Sequence, residues 1–173
     1  MKAIVVGGGI MGLSTAWALS AAGQDVALFE QGPLPNPLGS SMDEHRLIRH
    51  PYGDHTGYAR MIDPAYEAWE EMWRDLGQRL HAPTGTLALT GNGADWADRS
   101  AASLAAIGRP MTELSIADLP QRFPMIDAKG VERAWWIDTG GELFAQDIVR
   151  ALVRHLEQRT NVRLHASTPV RTV

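Results

Sequence analysis

The apolar and polar positions at the start of the chain follow a strand–helix–strand order. Residues 2–6 are a short β-branched run that glycine ends, which predicts a buried strand. Apolar side chains recur at helical spacing over residues 10–22, and residues 25–30 form a second apolar run. Two strands joined by a helix within about 30 residues predict a parallel pair with a right-handed crossover.

A third strand of similar character comes late in the chain. Residues 161–166 are predicted as a strand, and residues 145–158 before them as an amphipathic helix. The chain between residues 31 and 144 is expected to be a long insertion. Its predicted elements are a helical turn at 42–50, helices at 56–76 and 94–107, and strands at 85–90 and 132–138. The predicted fold class is therefore α/β.

A parallel sheet of three strands is small for a complete domain. It leaves an open sheet edge and one face without a cover, so we expect exposed apolar surface. On this ground we expect the isolated chain to be poorly stable, to aggregate, or to need a second chain.

The composition narrows the class of protein. The 173 residues carry a net charge of −4, which gives no sign of a nucleic-acid surface. They contain no cysteine, which excludes disulfides and thiolate chemistry, and the histidines show no metal-ligand spacing. No apolar run reaches the length of a membrane span and no signal peptide is recognised, so a soluble cytoplasmic protein is expected.

The glycines after the first predicted strand match the G-x-G-x-x-G pattern of dinucleotide-binding loops. Gly7 allows the tight turn into the helix, Gly9 lets a pyrophosphate approach the backbone, and Gly12 lets helix and strand pack closely. The N-terminus of the helix presents free N–H groups and the positive end of its dipole to phosphate. A lone pattern of this kind also occurs in ordinary turns, but here the required strand and helix flank it.

An acidic residue ends the second predicted strand, as such a site requires. Glu30 lies 18 residues after Gly12, where its carboxylate can accept hydrogen bonds from both ribose hydroxyls of an adenosine. The same carboxylate repels a 2′-phosphate, which disfavours an NADP-type ligand. These residues indicate an adenine dinucleotide but leave FAD and NAD open.

A basic block follows the proline-rich loop after Glu30. Arg46 and Arg49 are three residues apart, so a helical turn at 42–50 places them on one face. An arginine there can bind a carboxylate through two parallel hydrogen bonds, and Ser40 and Ser41 can donate to a pyrophosphate. The alternative is a solvated basic turn that pairs with neighbouring acids.

The order of these motifs resembles that of the FAD-dependent amine oxidases of the D-amino-acid oxidase superfamily. The likeness is greatest to the branch of monomeric sarcosine oxidase and N-methyltryptophan oxidase. The glycine pattern is shared by many flavoproteins, whereas the block R-x-I-R-H-x-Y-G at Arg46–Gly53 is far more specific. One departure is Met42, which stands where the sarcosine oxidase pattern has histidine, so the surroundings of the substrate are expected to differ.

The resemblance implies roles for individual residues. The glycines contact the FAD pyrophosphate, Glu30 binds the adenosine ribose, and the backbone of Val170 contacts the adenine edge. Arg46 lies beside the flavin ring and Arg49 binds the substrate carboxylate, so these two form the implied catalytic pair. The full cofactor-binding set is Gly7, Gly9, Ile10, Met11, Gly12, Glu30, Gln31, Ser40, Ser41, Arg46 and Val170.

The resemblance also implies a domain division and an activity. Residues 1–45 and 144–173 form an FAD-binding, Rossmann-like part, and residues 46–143 form a helical insertion with the start of an α+β substrate domain. The implied reaction oxidises the CH–NH group of an amino acid or N-methyl amino acid, with a small amine as substrate.

Only about the N-terminal half of such an enzyme is represented in this chain. A C-terminal half or a partner chain is therefore expected to complete the enzyme. The alternatives are a truncated or split-subunit product without independent catalysis and an NAD-dependent dehydrogenase.

Overall fold

The computed structural model describes residues 2–172, which divide into two compact units. The first unit takes in the chain up to Arg46, Trp73–Leu80, and the chain from Leu143 onward. The second takes in Leu47–Met72 and His81–Glu142.

Residues 2–172 form both helices and strands. The strands are β1 (Lys2–Val6), β2 (Asp25–Phe29), β3 (Arg46–Ile48), β4 (His81–Ala82), β5 (Thr86–Gly91), β6 (Thr112–Leu114), β7 (Val131–Ile137), β8 (Gly141–Leu143) and β9 (Val162–His165). The helices are α1 (Ile10–Ala21), α2 (Thr56–Leu76), α3 (Trp96–Ala106), α4 (Leu119–Arg122) and α5 (Ala145–Glu157). Two 3₁₀ turns lie at Ser40–Met42 and Ile116–Asp118.

The first unit contains the predicted parallel sheet, in the order β1–β2–β9. Helices α1 and α5 pack against each other, α1 also against β1 and β2, and α5 against β9. The side chains at this interface are fully or almost fully buried: Val5, Leu13, Val26, Leu28, Ile148, Leu152 and Leu156. The α/β fold class and the parallel sheet predicted from the sequence are confirmed.

Strand β1 buries only one of its two faces. Val5 is 8% exposed, whereas its neighbours Ile4 and Val6 on the opposite face are 72% and 55% exposed. β1 is also an end strand of the sheet. The exposed apolar surface predicted from a three-stranded parallel sheet is therefore present. The strand predicted at residues 2–6 occurs as predicted, but it is buried on one face only.

The second unit is built on an antiparallel sheet in the order β5–β7–β6. Helix α3 packs on β5 and β7. Small side chains dominate the buried cluster between them, which is completed by larger residues at its margin: Ala59, Ala88, Ala97, Ala101, Leu104 and Met111, with Ile107, Trp135 and Ile137.

The helical turn predicted for residues 42–50 is wrong. A 3₁₀ turn at Ser40–Met42 is followed by the short strand β3, which joins a sheet in the order β3–β8–β4. Arg46 lies in β3 and Arg49 directly follows it, so the two arginines do not share a helical face. A strand of three residues shows no period of its own; pairing with β8, about 95 residues later, stabilises it.

No helix within residues 2–172 has both the length and the apolar character needed to cross a membrane.

Candidate functional site

Gly7, in the loop between β1 and α1, and Gly12, in the first turn of α1, are required for separate reasons. Gly7 has a φ of +103°, a region that other residues rarely adopt, and its N–H donates to the carbonyl of Phe29 at 2.8 Å. A Cβ on Gly12 would lie 1.9 Å from the carbonyl oxygen of Gly7. The loop and the first turn of α1 are thus in a contact that only a residue without a side chain allows.

Helix α1 begins after Gly9, an N-cap residue without a side chain, and has no acidic residue in its first turn. The N–H of Ile10 donates to Oγ of Ser41 at 3.1 Å. Met11, the next residue, is 79% exposed. The positive end of the helix dipole therefore faces no protein carboxylate from its own first turn, which suits it to an anionic ligand.

A cavity of about 200 Å³ lies next to this helix start, within the first unit. Four of the predicted cofactor residues line it: Gly9, Glu30, Gln31 and Ser41. The remaining lining residues are Gly8, Asn36, Leu38, Gly39, Met42 and Val149. Gly7, Ile10, Met11 and Gly12 belong to the adjoining loop and first helical turn and do not line the cavity.

Glu30 is the buried acid of this cavity, with 7% of its surface exposed. Its Oε2 accepts the N–H of Gly8 at 2.7 Å, and its Oε1 accepts the N–H of Gly32 at 2.9 Å and Nδ2 of Asn36 at 2.9 Å. Burial on its own raises the pKa of Glu30, but the hydrogen bonds outweigh it and the net pKa is lowered. Glu30 is therefore ionised at neutral pH and is held in place by the loop.

Asn36 belongs to the cavity but was not among the residues predicted from the sequence. It lies between two prolines in a stretch that reads as a loop, and no spacing rule connects it to Glu30. A weak signal was available, because asparagine side chains often hydrogen-bond backbone two residues further on. Its Oδ1 does so here, accepting the N–H of Leu38 at 3.0 Å.

Ser40, Arg46 and Val170 do not line the cavity. The guanidinium of Arg46 contacts Asp43 and the carbonyl of Ser40, and about half of its side chain is exposed. Val170 is 39% exposed. The residues just before it run beside the Glu30 loop, since the N–H of Thr168 donates to the carbonyl of Glu30 at 2.8 Å.

Arg49 lies in the second unit, in contact with two aromatic rings. Its guanidinium carbon is 4.6 Å from the centre of the Tyr52 ring and 5.0 Å from that of Trp96. One of its nitrogens donates to the carbonyl of Pro51, and no ion pair of Arg49 occurs within residues 2–172. Rings cover the faces of a planar cation and leave its N–H edges for hydrogen bonds, which is how arginine binds carboxylates.

The residue after Arg49 is a buried histidine with a partner on each ring nitrogen. Nδ1 of His50 is 2.7 Å from Oγ1 of Thr139, and its Nε2 is 3.2 Å from Oδ1 of Asp63. Asp63 also pairs with Arg109 at 2.7 Å. Burial lowers the pKa of His50, so the ring is neutral, with Nε2 donating to Asp63 and Nδ1 accepting from Thr139.

The sequence matches one protein family over almost its full length. Residues 2–173 match the family DAO, described as FAD dependent oxidoreductase. The chain belongs to this family. Its dinucleotide is therefore FAD, and the alternative of an NAD-dependent dehydrogenase is not supported.

Curated members of the DAO family similar to this chain include sarcosine oxidases. The chain is 37% identical over 150 residues to the peroxisomal sarcosine oxidase of Mus musculus, covering 87% of this chain and 38% of that protein. It is 26% identical over 168 residues to the monomeric sarcosine oxidase of Arthrobacter sp., covering 96% of this chain and 43% of that protein. The chain thus spans about two fifths of the length of these relatives, in their N-terminal part.

A solved structure with the same fold is L-proline dehydrogenase from P. horikoshii. It superposes with a TM-score of 0.81 at 22% identity, over 97% of this chain and 44% of that chain. At this level of identity the likeness shows the fold alone.

The donors and acceptors around the cavity fit the adenosine diphosphate part of FAD. A helix start with no acidic residue in its first turn suits the pyrophosphate, and the ionised, buried Glu30 suits the ribose hydroxyls. Gly9 leaves the approach open, because a Cβ there would meet only Oγ of Ser41, at 3.5 Å.

Proposed function

We propose that this chain supplies the FAD-binding region and a substrate-binding arginine of an oxidoreductase that acts on the CH–NH group of an amino acid or N-methyl amino acid. The observation that carries the proposal is the cavity formed by Gly9, Glu30 and Ser41 at the start of α1, in a chain whose relatives include sarcosine oxidases. When bound, FAD supplies the two-electron oxidation of the bond between carbon and amine nitrogen.

The cofactor role belongs to residues 1–45 and 144–173 in this proposal. The start of α1 holds the pyrophosphate and Glu30 accepts hydrogen bonds from the ribose. The backbone near Val170 contacts the adenine, which is supported by the hydrogen bond from Thr168 to the carbonyl of Glu30. Ser40 and Arg46 orient the loop at the end of this region, since Arg46 binds the carbonyl of Ser40.

The substrate role belongs to residues 46–143, with Arg49 as its principal residue. The guanidinium of Arg49 contacts the rings of Tyr52 and Trp96, which restrict its orientation, and it lacks a carboxylate partner of its own among the described residues. A substrate carboxylate can supply that partner through a bidentate hydrogen bond. This interaction fixes the amino-acid end of the substrate and favours amino acids over simple amines.

A second candidate is a chain that binds FAD but does not catalyse by itself. Ile4 and Val6 are exposed on a strand of a parallel sheet, and such sheets are ordinarily covered on both faces. In this proposal a C-terminal half or partner chain covers that face and completes the substrate site. The two candidates share the cofactor role and differ in what the chain does alone.

Co-expression tests both candidates. The chain is produced alone and together with the part of the Arthrobacter relative that lies beyond the matched region, and bound flavin is measured by absorption. Anaerobic addition of N-methylglycine, other N-methyl amino acids and unmodified amino acids then reports reduction as loss of the oxidised flavin band.

We expect reduction in the co-expressed complex, and slower reduction in the complex that carries Arg49→Ala with the same flavin content. Flavin bound by the chain alone but not reduced supports the second candidate. A flavin-loaded complex that none of these amines reduces contradicts the proposed activity.

A further inference from the structure

We propose that Asn36 binds the adenosine ribose together with Glu30, and that its amide occupies the position of a ribose hydroxyl until the dinucleotide binds. The inference rests on the proposed function and adds a cofactor-binding residue to it. It starts from the hydrogen-bonding capacity of the Glu30 carboxylate.

A carboxylate offers about four acceptor positions, two on each oxygen. In Glu30 three are in use: the N–H of Gly8 on Oε2, and the N–H of Gly32 and Nδ2 of Asn36 on Oε1. At most one position remains, on Oε2, because the backbone N–H of Gln31 also stabilises this carboxylate. The two ribose hydroxyls therefore cannot both donate to Glu30 unless one present donor leaves.

Two of the three donors are backbone groups held by other contacts. Gly8 lies in the turn between β1 and α1, and the carbonyl of Gly32 accepts the N–H of Ser167 at 2.7 Å. The amide of Asn36 is on a side chain and can rotate about two bonds. Asn36 is therefore the donor that can exchange with a ribose hydroxyl.

When this amide turns, the N–H of Leu38 loses Oδ1 of Asn36 as its acceptor, but a second hydrogen bond still holds the loop. The carbonyl of Asn36 accepts the N–H of Gly39 at 3.0 Å, a bond that does not involve the side chain. Gly32 provides the space for the amide, because a Cβ there would lie 2.7 Å from Nδ2. The backbone bond to Gly39 and the missing side chain at Gly32 therefore both allow the amide to move.

The exchange leaves Nδ2 next to the hydroxyl that replaces it. A hydroxyl is both a donor and an acceptor, so it can donate to Glu30 and accept from Asn36 at the same time. The acid and the amide then hold the diol from opposite sides. Asn36 lines the same cavity as Glu30, which this arrangement requires.

The experiment measures the affinity of the full chain for ADP, 2′-deoxy-ADP and 3′-deoxy-ADP by calorimetry. The variants are Asn36→Ala and Asn36→Asp, and Gln158→Ala is the matched control, an exposed amide at the end of α5. Asn36→Asp keeps the size of the side chain but cannot donate and adds a charge beside Glu30.

Asn36→Ala removes the bond to Glu30 in the free chain and the bond to the ribose hydroxyl in the complex, so we expect ADP affinity to change by less than the roughly fivefold value of one hydrogen bond. The ratio of affinities between ADP and one of the two deoxy analogues changes by the same factor, and the other ratio keeps its wild-type value, because only one hydroxyl exchanges with the amide. Asn36→Asp weakens ADP binding more than Asn36→Ala, and Gln158→Ala leaves all affinities and ratios unchanged.

A purely structural role of Asn36 weakens all three ligands equally and keeps both ratios at their wild-type values, and that result overturns the inference. Unchanged ADP affinity in both variants overturns it as well. If the wild-type chain binds no ADP, the proposed function fails at its cofactor step and the inference fails with it.

Discussion

The cavity of Glu30 and the surroundings of Arg49 each contain one charged group, but the two groups differ in how many hydrogen bonds the protein makes to them. Glu30 is buried and receives three short hydrogen bonds from its own loop, two of them from backbone. Arg49 contacts the rings of Tyr52 and Trp96 and donates one hydrogen bond to the carbonyl of Pro51. The acid is nearly saturated, whereas the cation keeps most of its N–H groups.

The difference matches what each group is proposed to bind. A ribose diol is neutral, and a carboxylate that is already fixed and ionised can bind it with little reorganisation. A substrate carboxylate carries a full charge and needs several donors at once, which an arginine with free edges provides. The two sites therefore differ in how many hydrogen-bonding positions remain open to a ligand.

The largest expected effect comes from adding a side chain to Gly12, next to the Glu30 cavity. Gly12→Ala introduces a Cβ 1.9 Å from the carbonyl of Gly7, and the loop must shift. Overpacking of about 2–3 kcal/mol corresponds to roughly a hundredfold loss of ADP affinity. Gly57→Ala is the control, since nothing lies within 4 Å of a Cβ at that position in α2. Equal ADP affinity in the two variants contradicts the role given to Gly12.

A smaller effect is expected at Arg49, and on a different ligand. Arg49→Lys loses the bidentate geometry, so the affinity for acetate or N-methylglycine falls about tenfold, as followed by tryptophan fluorescence. ADP affinity is unchanged, because Arg49 lies in the other unit. A loss of ADP binding in Arg49→Lys contradicts the division of roles between the two sites.

A still smaller effect on binding is expected when one aromatic ring beside Arg49 is removed. Trp96→Ala weakens carboxylate binding about threefold, because a cation–π contact of roughly 0.5–1 kcal/mol that restricts the guanidinium is lost. Trp136→Ala is the matched control, since that ring contacts a different arginine, Arg122, at 4.6 Å and is not part of the buried cluster. The restriction of Arg49 by Trp96 is disproved if both variants bind acetate equally.

The smallest effect concerns pH and the neutral His50. Because burial lowers its pKa below 6.5, the unfolded chain takes up a proton before the folded one as the pH falls. The free energy of unfolding therefore decreases from about pH 6.5 down to the folded pKa, by at most about 1.4 kcal/mol per pH unit.

Urea unfolding of wild type and His50→Gln between pH 7 and pH 5 measures this dependence. The variant lacks the titrating ring, so we expect its stability to change less over this interval. Equal slopes in the two proteins are incompatible with a buried neutral histidine at this position.

The parts of the fold that the sequence predicted are those with local patterns. The runs at residues 2–6 and 25–30 and the amphipathic face of α5 carry their own period, and each occurs as predicted within about one residue. The strands β3 and β8 are three residues long and exist through pairing with distant segments. No window around Arg46 contains that information, so the helical turn expected there was wrong.

The candidate site divides in the same way. Gly7, Gly12 and Glu30 follow from spacing, because a strand–turn–helix geometry dictates where glycine and an acid are needed. Asn36 and Trp96 do not, since their contacts with Glu30 and Arg49 depend on how the loop and α3 fold back. Tertiary contacts of this kind leave no periodic trace in the sequence.

The central claim is that the Glu30 cavity binds the adenosine diphosphate of FAD. Its most direct test is calorimetric titration of the wild-type chain and Glu30→Gln with FAD and ADP. We predict 1:1 binding of both ligands to wild type and a 10- to 100-fold loss in Glu30→Gln, the effect of removing a hydrogen bond to a charged group. Equal affinity of the two proteins, or no binding of either ligand to wild type, contradicts the claim.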